Sequence, residues 1–313
     1  MNIKSNTVAI LGTGAWGTAL GNIAQSNQHQ VRFWSYRGVT PLKSVIQDAA
    51  IILSAVSMKG VVPTVDKLRS HNIPSEQIIV TATKGLDSKT TSTPAQVWQR
   101  AFPHNPIVVL SGPNLSAEIE QGLPAATVVA SHDLGAATKV QAILARDTFR
   151  VYLNQDPIGT ELGGTLKNVI AIAAGVCDGM ELGTNAKAAL LTRALPEIID
   201  IGIHLGASAA TFFGLSGLGD LIATCDSPLS RNYQVGLGLA QGKTLVQVLA
   251  SLKGTAEGVN TTQVLLKIAD QKALDLPISR QVGKLLQGEI SPQEAITALM
   301  GRDLKAEFFD LNL

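Results

Sequence analysis

A chain of 313 residues is long enough for two domains, because single hydrophobic cores stop growing well below that length. Apolar residues make up 45% and charged residues only 16%, which argues against disorder and suits an α/β enzyme with a well-buried sheet. The formal net charge of +1 leaves no basic excess, so a nucleic-acid or acidic-lipid partner is not expected, and any bound anion is small and held by a few placed groups. The first half alternates short β-branched runs with helical patterns, the mark of βαβ units and a parallel sheet. Strands are predicted over Thr7–Leu11, Gln30–Trp34, Ala50–Val56, Gln77–Ala82, Ile107–Leu110, Ala126–Ala130 and Arg150–Leu153. Helices are predicted over Ala15–Gln25, Gly60–Leu68, Ala95–Ala101, Leu115–Glu120 and Gly135–Leu144. The apolar run Val8–Leu11 is too short for the core of a signal peptide, and no uncharged apolar stretch reaches the ~18 residues of a membrane span. Asn154-Gln155-Asp156-Pro157 gathers turn residues; beyond it Ala, Gly and Leu dominate and strand-like runs stop. Cys177 and Cys225 form no CxxC pair, disulfide framework or zinc spacing, so a reducing compartment and a soluble, cytoplasmic protein without a metal site are expected.

The first motif is Gly12-Thr13-Gly14-Ala15-Trp16-Gly17, a G-x-G-x-x-G directly after a strand and directly before a helix. Each glycine has a task there: a tight turn, close approach of the backbone to a pyrophosphate, and close helix–strand packing. The alternative is a glycine-rich turn that binds nothing. NAD-binding versions carry an acid ~20 residues on, against the ribose 2′-hydroxyl. Here Trp34 is followed by Ser35-Tyr36-Arg37, with no carboxylate. Arg37 suits a 2′-phosphate, so NADPH is favoured over NADH; the alternative is a solvent-facing arginine. The expected fold is a Rossmann-type, doubly wound, mostly parallel α/β sheet in residues 1–153, then an all-α substrate and catalytic domain in 154–313.

Two later strand ends carry polar loops, where open α/β sheets bind ligands. One is Thr83-Lys84-Gly85, the other Ser111-Gly112-Pro113-Asn114. Lys84 suits a substrate oxygen or the nicotinamide region, or is a surface lysine; Asn114 is equally an N-cap for the helix that follows. The segment Glu161 to Gly175 reads as a helix apolar or small on every face, hence buried, with Gly164, Ala171 and Gly175 forming a small-residue stripe. Lys167 and Asn168 interrupt it. A buried lysine must be paired, have its pKa lowered, or face a polar cleft, and each suits proton transfer at a carbonyl–alcohol centre; the alternative is a lysine that snorkels to solvent. Asp220, in Gly217-Leu218-Gly219-Asp220-Leu221, either orients Lys167 or a substrate hydroxyl, or caps a helix. Ser230-Arg231-Asn232 opens a helical stretch as a phosphate clamp or as an ordinary exposed turn. Glu257 is a weaker candidate.

Six stretches together resemble bacterial-type NAD(P)-dependent glycerol-3-phosphate dehydrogenase: GTGAWGTAL (12–20), TATKGL (81–86), SGPNLSAEI (111–119), GGTLKNVIAIAAG (163–175), GLGDLIATC (217–225) and SRN (230–232). The pair GGTLKN and GLGDL discriminates most. The resemblance implies reversible hydride transfer between NAD(P)H and dihydroxyacetone phosphate, giving sn-glycerol 3-phosphate for phospholipid synthesis. It implies Lys167 as the proton donor or acceptor at C2, Lys84, Gly112 and Asp220 around the substrate, and Ser230, Arg231 and Asn232 on its phosphate. Gly12, Gly14, Trp16, Gly17, Arg37, Lys84, Ser116, Arg231 and Glu257 would meet the cofactor. A homodimer fits helical second domains of this type. The chain departs from the pattern after Trp34, where the family carries a longer segment with an extra helix and this sequence has only Ser35 to Ala49. The competing readings are a β-hydroxyacid-type dehydrogenase with another substrate and a non-catalytic NADP-sensing module.

Overall fold

The computed structural model describes residues 6–252 and 254–304. The chain forms two compact units, one up to Leu162 and one from Gly163. The first is built around a seven-stranded sheet of β1 (Thr7–Leu11), β2 (Gln30–Trp34), β3 (Ile51–Ser54), β4 (Ile78–Thr81), β5 (Ile107–Ser111), β6 (Ala125–Ala130) and β7 (Phe149–Asn154), in spatial order β2-β1-β3-β4-β5-β6-β7. β1 to β5 run parallel; β6 pairs antiparallel with β5 and parallel with β7. Helices α1 (Ala15–Ser26), α2 (Leu42–Ile46), α3 (Met58–Arg69), α4 (Pro94–Ala101), α5 (Ser116–Glu120) and α6 (Leu134–Leu144) connect the strands.

The strands read as near-continuous apolar runs because both sheet faces are covered. In β1, Val8 and Ile10 enter the core shared with Leu20 and Ile23 of α1, while Ala9 and Leu11 enter the opposite core with Val61 and Val65 of α3. These four of the five β1 residues are inaccessible to solvent, each large side chain contributing ~1.5–3 kcal/mol of transfer free energy. The register sets Leu11 beside both Trp34 and Ser54, and Ser54 beside Thr81, so the loops after β1 to β4 leave the sheet at one edge. Caps set two helix starts: Thr93 and Gln96 form a capping box on α4 behind Pro94, and Asp133 accepts from the Ala136 N–H on α6. α2 goes beyond the sequence reading, which placed no helix between β2 and β3. Its Leu42, Val45 and Ile46 form one buried apolar stripe, too short to stand out as a period.

The second unit is helical. α7 (Pro157–Gly179) crosses the division, and α8 (Gly183–His204), α9 (Ala209–Phe212), a π-helical turn (Leu215–Gly219), α10 (Asp220–Cys225), α11 (Arg231–Ala240), α12 (Leu245–Ser251), α13 (Glu257–Lys272), α14 (Pro277–Gln287) and α15 (Pro292–Met300) follow. Beyond Gly163, the buried residues of α7 include Leu166, Val169, Ile170, Ala171, Ile172 and Ala174, as its apolar composition requires. Glu197 of α8 caps α14 from outside, accepting from the Ile278 N–H at 2.7 Å and the Ser279 N–H at 3.1 Å. Among the described residues, no helix is long and apolar enough to cross a membrane.

Candidate active site

In the first unit, Gly12, Thr13 and Gly14 carry the chain from β1 to α1. Gly12 has φ +110°, and a Cβ there would lie 2.8 Å from the Ala55 carbonyl oxygen. Its N–H donates to the Trp34 carbonyl at 2.8 Å, which ties the turn to β2. Gly17 lies so close to the Gly12 carbonyl that no side chain fits. Gly14 is different: it is the N-cap of α1, and a Cβ there would meet nothing within 4 Å. No side chain caps α1 and no acid stands in its first turn. An uncapped helix start with room for close backbone approach suits an anion, and the pyrophosphate of a dinucleotide fits these residues. Trp16 is partly buried and packs against the core on the α1 face. Arg37 is exposed in the turn after β2, next to Tyr36, whose ring carries the Lys67 ammonium at 4.2 Å.

At the same sheet edge, half-buried Lys84 donates to the Gly112 carbonyl at 3.3 Å, joining the loops after β4 and β5. Asn114 is not the cap of α5; that position is Leu115. Asn114 braces β6 instead, accepting from the Thr127 hydroxyl at 2.8 Å and donating to the Ala126 carbonyl at 3.1 Å. Ser116, the first residue of α5, is half-buried.

In the second unit, Lys167 is 5% exposed and Asp220 1%. They meet at 2.5 Å, so Lys167 is a paired buried lysine and does not snorkel. Asp220 makes no side-chain cap on α10. The ammonium also donates to the Thr224 hydroxyl, which in turn lies 3.3 Å from the Asp220 carboxylate. Asp220 and Thr224 are four residues apart on α10, hence on one face. Cys225 beside them is buried, and that burial pushes its thiol up to about 12, against partial relief from the Lys167 and Lys187 charges. It is therefore a packing residue and not a nucleophile.

A second polar network lies one residue on. The Gly258 N–H donates to Asn232 at 2.9 Å, Asn232 donates to Asn168 at 2.8 Å, and Asn168 points back at the Gly164 carbonyl at 3.4 Å. This chain joins α7, α11 and α13. Ser230 caps α11, accepting from the Tyr233 N–H at 3.3 Å. Arg231 is exposed, its guanidinium lying across Gly254, where a Cβ would sit 2.6 Å from Nη1. Gly254 has φ +103°, which favours glycine for a second reason. Glu257 is the half-buried first residue of α13.

The family model described as NAD-dependent glycerol-3-phosphate dehydrogenase N-terminus matches residues 7–40 and 36–137, and the corresponding C-terminus model matches 156–297. The chain belongs to this family. Glycerol-3-phosphate dehydrogenase (NAD(P)+) of Acaryochloris marina is 58% identical over 309 residues, 99% of this chain and 100% of that one. Its counterpart from a Nostoc species is 60% identical over 306 residues, 98% of this chain and 100% of that one. The crystal structure of the Coxiella burnetii glycerol-3-phosphate dehydrogenase is 32% identical and superposes with a TM-score of 0.91 over 95% of this chain and 99% of that one. The two N-terminal stretches of the glycerol-3-phosphate dehydrogenase match overlap at residues 36–40, in the loop after β2.

Within this family member, sequence reading singled out Lys167, Asp220 and Asn168, which the structure places in these two networks, and did not single out Thr224. The only signal for Thr224 was its i+4 spacing from Asp220, a spacing many helices contain. It also could not foresee that Asn232 turns inward to Asn168, since the two stand 64 residues apart.

Proposed function

We propose that this chain is an NAD(P)-dependent sn-glycerol-3-phosphate dehydrogenase, an oxidoreductase that reduces dihydroxyacetone phosphate to sn-glycerol 3-phosphate for glycerophospholipid synthesis. The observation that carries the reading is a buried ammonium held by a carboxylate and a hydroxyl, Lys167 with Asp220 and Thr224, in a chain of this family. Gly12, Gly14 and Gly17 would hold the cofactor pyrophosphate at the start of α1, and Trp16, Ser116 and Glu257 would contact the cofactor. A bound NADPH or NADH supplies the hydride. Lys167 Nζ gives a proton to the C2 oxygen of the substrate in the reducing direction and takes it back in reverse. Asp220 keeps the ammonium aimed and balances its charge, a pairing that burial makes strong and its loss costly. Lys84 and the Gly112 loop bind a substrate oxygen. Arg231 meets the phosphate with its planar donor fork and Ser230 adds its hydroxyl. Asn232 has its amide committed to Asn168 and Gly258, so it supports the clamp by holding Arg231 and the start of α11.

Arg37 stands after β2 without a competing acid, which supports NADPH over NADH. A cytoplasmic homodimer without nucleic-acid partners completes the proposal; both cysteines are free and buried, and the net charge is +1. The test is oxidation of NADPH and NADH followed by absorbance, with and without dihydroxyacetone phosphate. Substrate-dependent oxidation, faster with NADPH, is expected, and Arg37→Gln is expected to remove the preference. No oxidation with either cofactor overturns the substrate assignment.

A further inference from the structure

A second ionic cluster lies on the same helix face as Lys167, eleven residues further along α7, about three turns and roughly 16 Å of rise. Lys187, in the second turn of α8, donates to Asp178 of α7 at 2.7 Å and to Asp226, the C-cap of α10, at 3.1 Å. Tyr233 of α11 donates its hydroxyl to the same Asp178 oxygen at 2.7 Å, and the Lys187 ammonium stands 5.7 Å from the Tyr233 ring centroid. None of these four residues has a part in the proton transfer. Yet the helices they join carry the groups that do: α7 carries Lys167 and Asn168, α10 carries Asp220 and Thr224, and α11 opens with Arg231 and Asn232.

The segment Asp226–Ser230 links α10 to α11 and delivers Arg231. α11 itself is seated on α7 through glycines: Gly236 against the Ile172 carbonyl and Gly175 against the Tyr233 carbonyl, with no room for a side chain at either. That packing fixes the helix axis but not the residues ahead of the helix. Lys187 ties the start of the link directly, through Asp226, and the far side of it through Asp178 and Tyr233. It also neutralises carboxylates in a cluster that would otherwise stand doubly negative near the segment assigned to a phosphate. Desolvation opposes the Lys187 charge, but the hydrogen bonds and charges of Asp178 and Asp226 outweigh it and hold the ammonium in place.

We infer that Lys187 is a positioning residue for the phosphate end of the substrate, acting on Arg231 through the Asp226 and Tyr233 flanks of its segment. The inference rests on the assignment of Arg231 and Ser230 to that phosphate. The loss of a partly buried two-carboxylate tie is worth about one to two kilocalories' equivalent of binding, read as a KM for dihydroxyacetone phosphate raised about tenfold in Lys187→Met. The KM for NADPH and the slow rate with dihydroxyacetone, which lacks the phosphate, stay within about twofold, and Lys187→Arg restores the KM to within about threefold. An unchanged KM for the phosphorylated substrate, or an equal loss with both substrates, overturns the inference. Should Lys187→Met fail to fold, Asp226→Ala decides: its side chain is 80% exposed, and a KM rise of about threefold is required, no rise being a refutation. Arg231→Met serves as the control in every series. If it leaves the KM for dihydroxyacetone phosphate unchanged, the phosphate assignment itself has failed, whatever Lys187 does.

Discussion

The glycine turn after β1 and the lysine helix α7 use the same residue for opposite ends. At Gly14 a Cβ would meet nothing of the protein within 4 Å, so no packing within the chain requires glycine there. At Gly163 a Cβ would stand 2.6 Å from the Ser216 carbonyl oxygen, and at Gly258 2.6 Å from the Asn168 carbonyl oxygen. Gly175 and Gly236 press α7 and α11 together in the same way. These four glycines of the second unit make room for the chain itself, and Lys167, Asn168 and Asn232 there are held by buried hydrogen bonds. In the first unit α1 begins without a side-chain cap; in the second, the Lys167 ammonium is met by Asp220 and Thr224.

The largest effect should come from the lysine. Lys167→Met is expected to lower kcat about 10³-fold, from the lost proton transfer together with an Asp220 carboxylate left buried without its ammonium. A thermal melt alongside the assay separates the two, and a variant that keeps its rate sinks the mechanism. Next, Gly236→Ala is expected to cost about 1–3 kcal/mol of stability through overpacking against α7, seen as a lower denaturation midpoint with an unchanged KM for NADPH. Gly14→Ala should behave the other way: an unchanged midpoint and a KM for NADPH raised about tenfold, since nothing in the protein occupies that space. If the two variants lose stability alike, the contrast between the units breaks. Apart from these substitutions stands a pH dependence at Glu161, an α7 residue within the first unit that accepts from the Ala95 N–H of α4 at 2.9 Å. Burial pushes its carboxyl up to about 8, against the hydrogen bonds of Thr93 and Ala95, while an unfolded chain ionises it near 4.5. The folded state thus binds the extra proton between those values, and this contribution to stability is lost as pH rises through the window. Denaturation midpoints at about pH 5 and about pH 9 should show native protein losing stability relative to Glu161→Gln on going up, with no further change above.

The sheet was legible because its strands are short β-branched runs buried on both faces, so composition alone marks Thr7–Leu11 and Gln30–Trp34 with their observed bounds. The glycine turn was legible because a strand, three glycines at fixed offsets and a helix are all local. α2 was not, since five residues offer a single apolar triplet after Pro41. The role of Asn114 was misjudged toward a cap because its true partners, Thr127 and Ala126, lie on another strand.

Residue types and near-neighbour spacing, then, determined the βαβ half, the helical half, the glycine turn between strand and helix and the placing of Lys167 on an apolar helix, because each follows from local periodicity. Tertiary structure alone decided that Asp220 and Thr224 meet that lysine, that Asn232 faces Asn168 and Gly258, and that Lys187 gathers Asp178 and Asp226. Those pairings join residues from 9 to 64 positions apart. The physical reason is that a hydrogen-bond partner is chosen by where helices pack, and here the packing is set by glycines whose purpose appears only when the opposing backbone is in view.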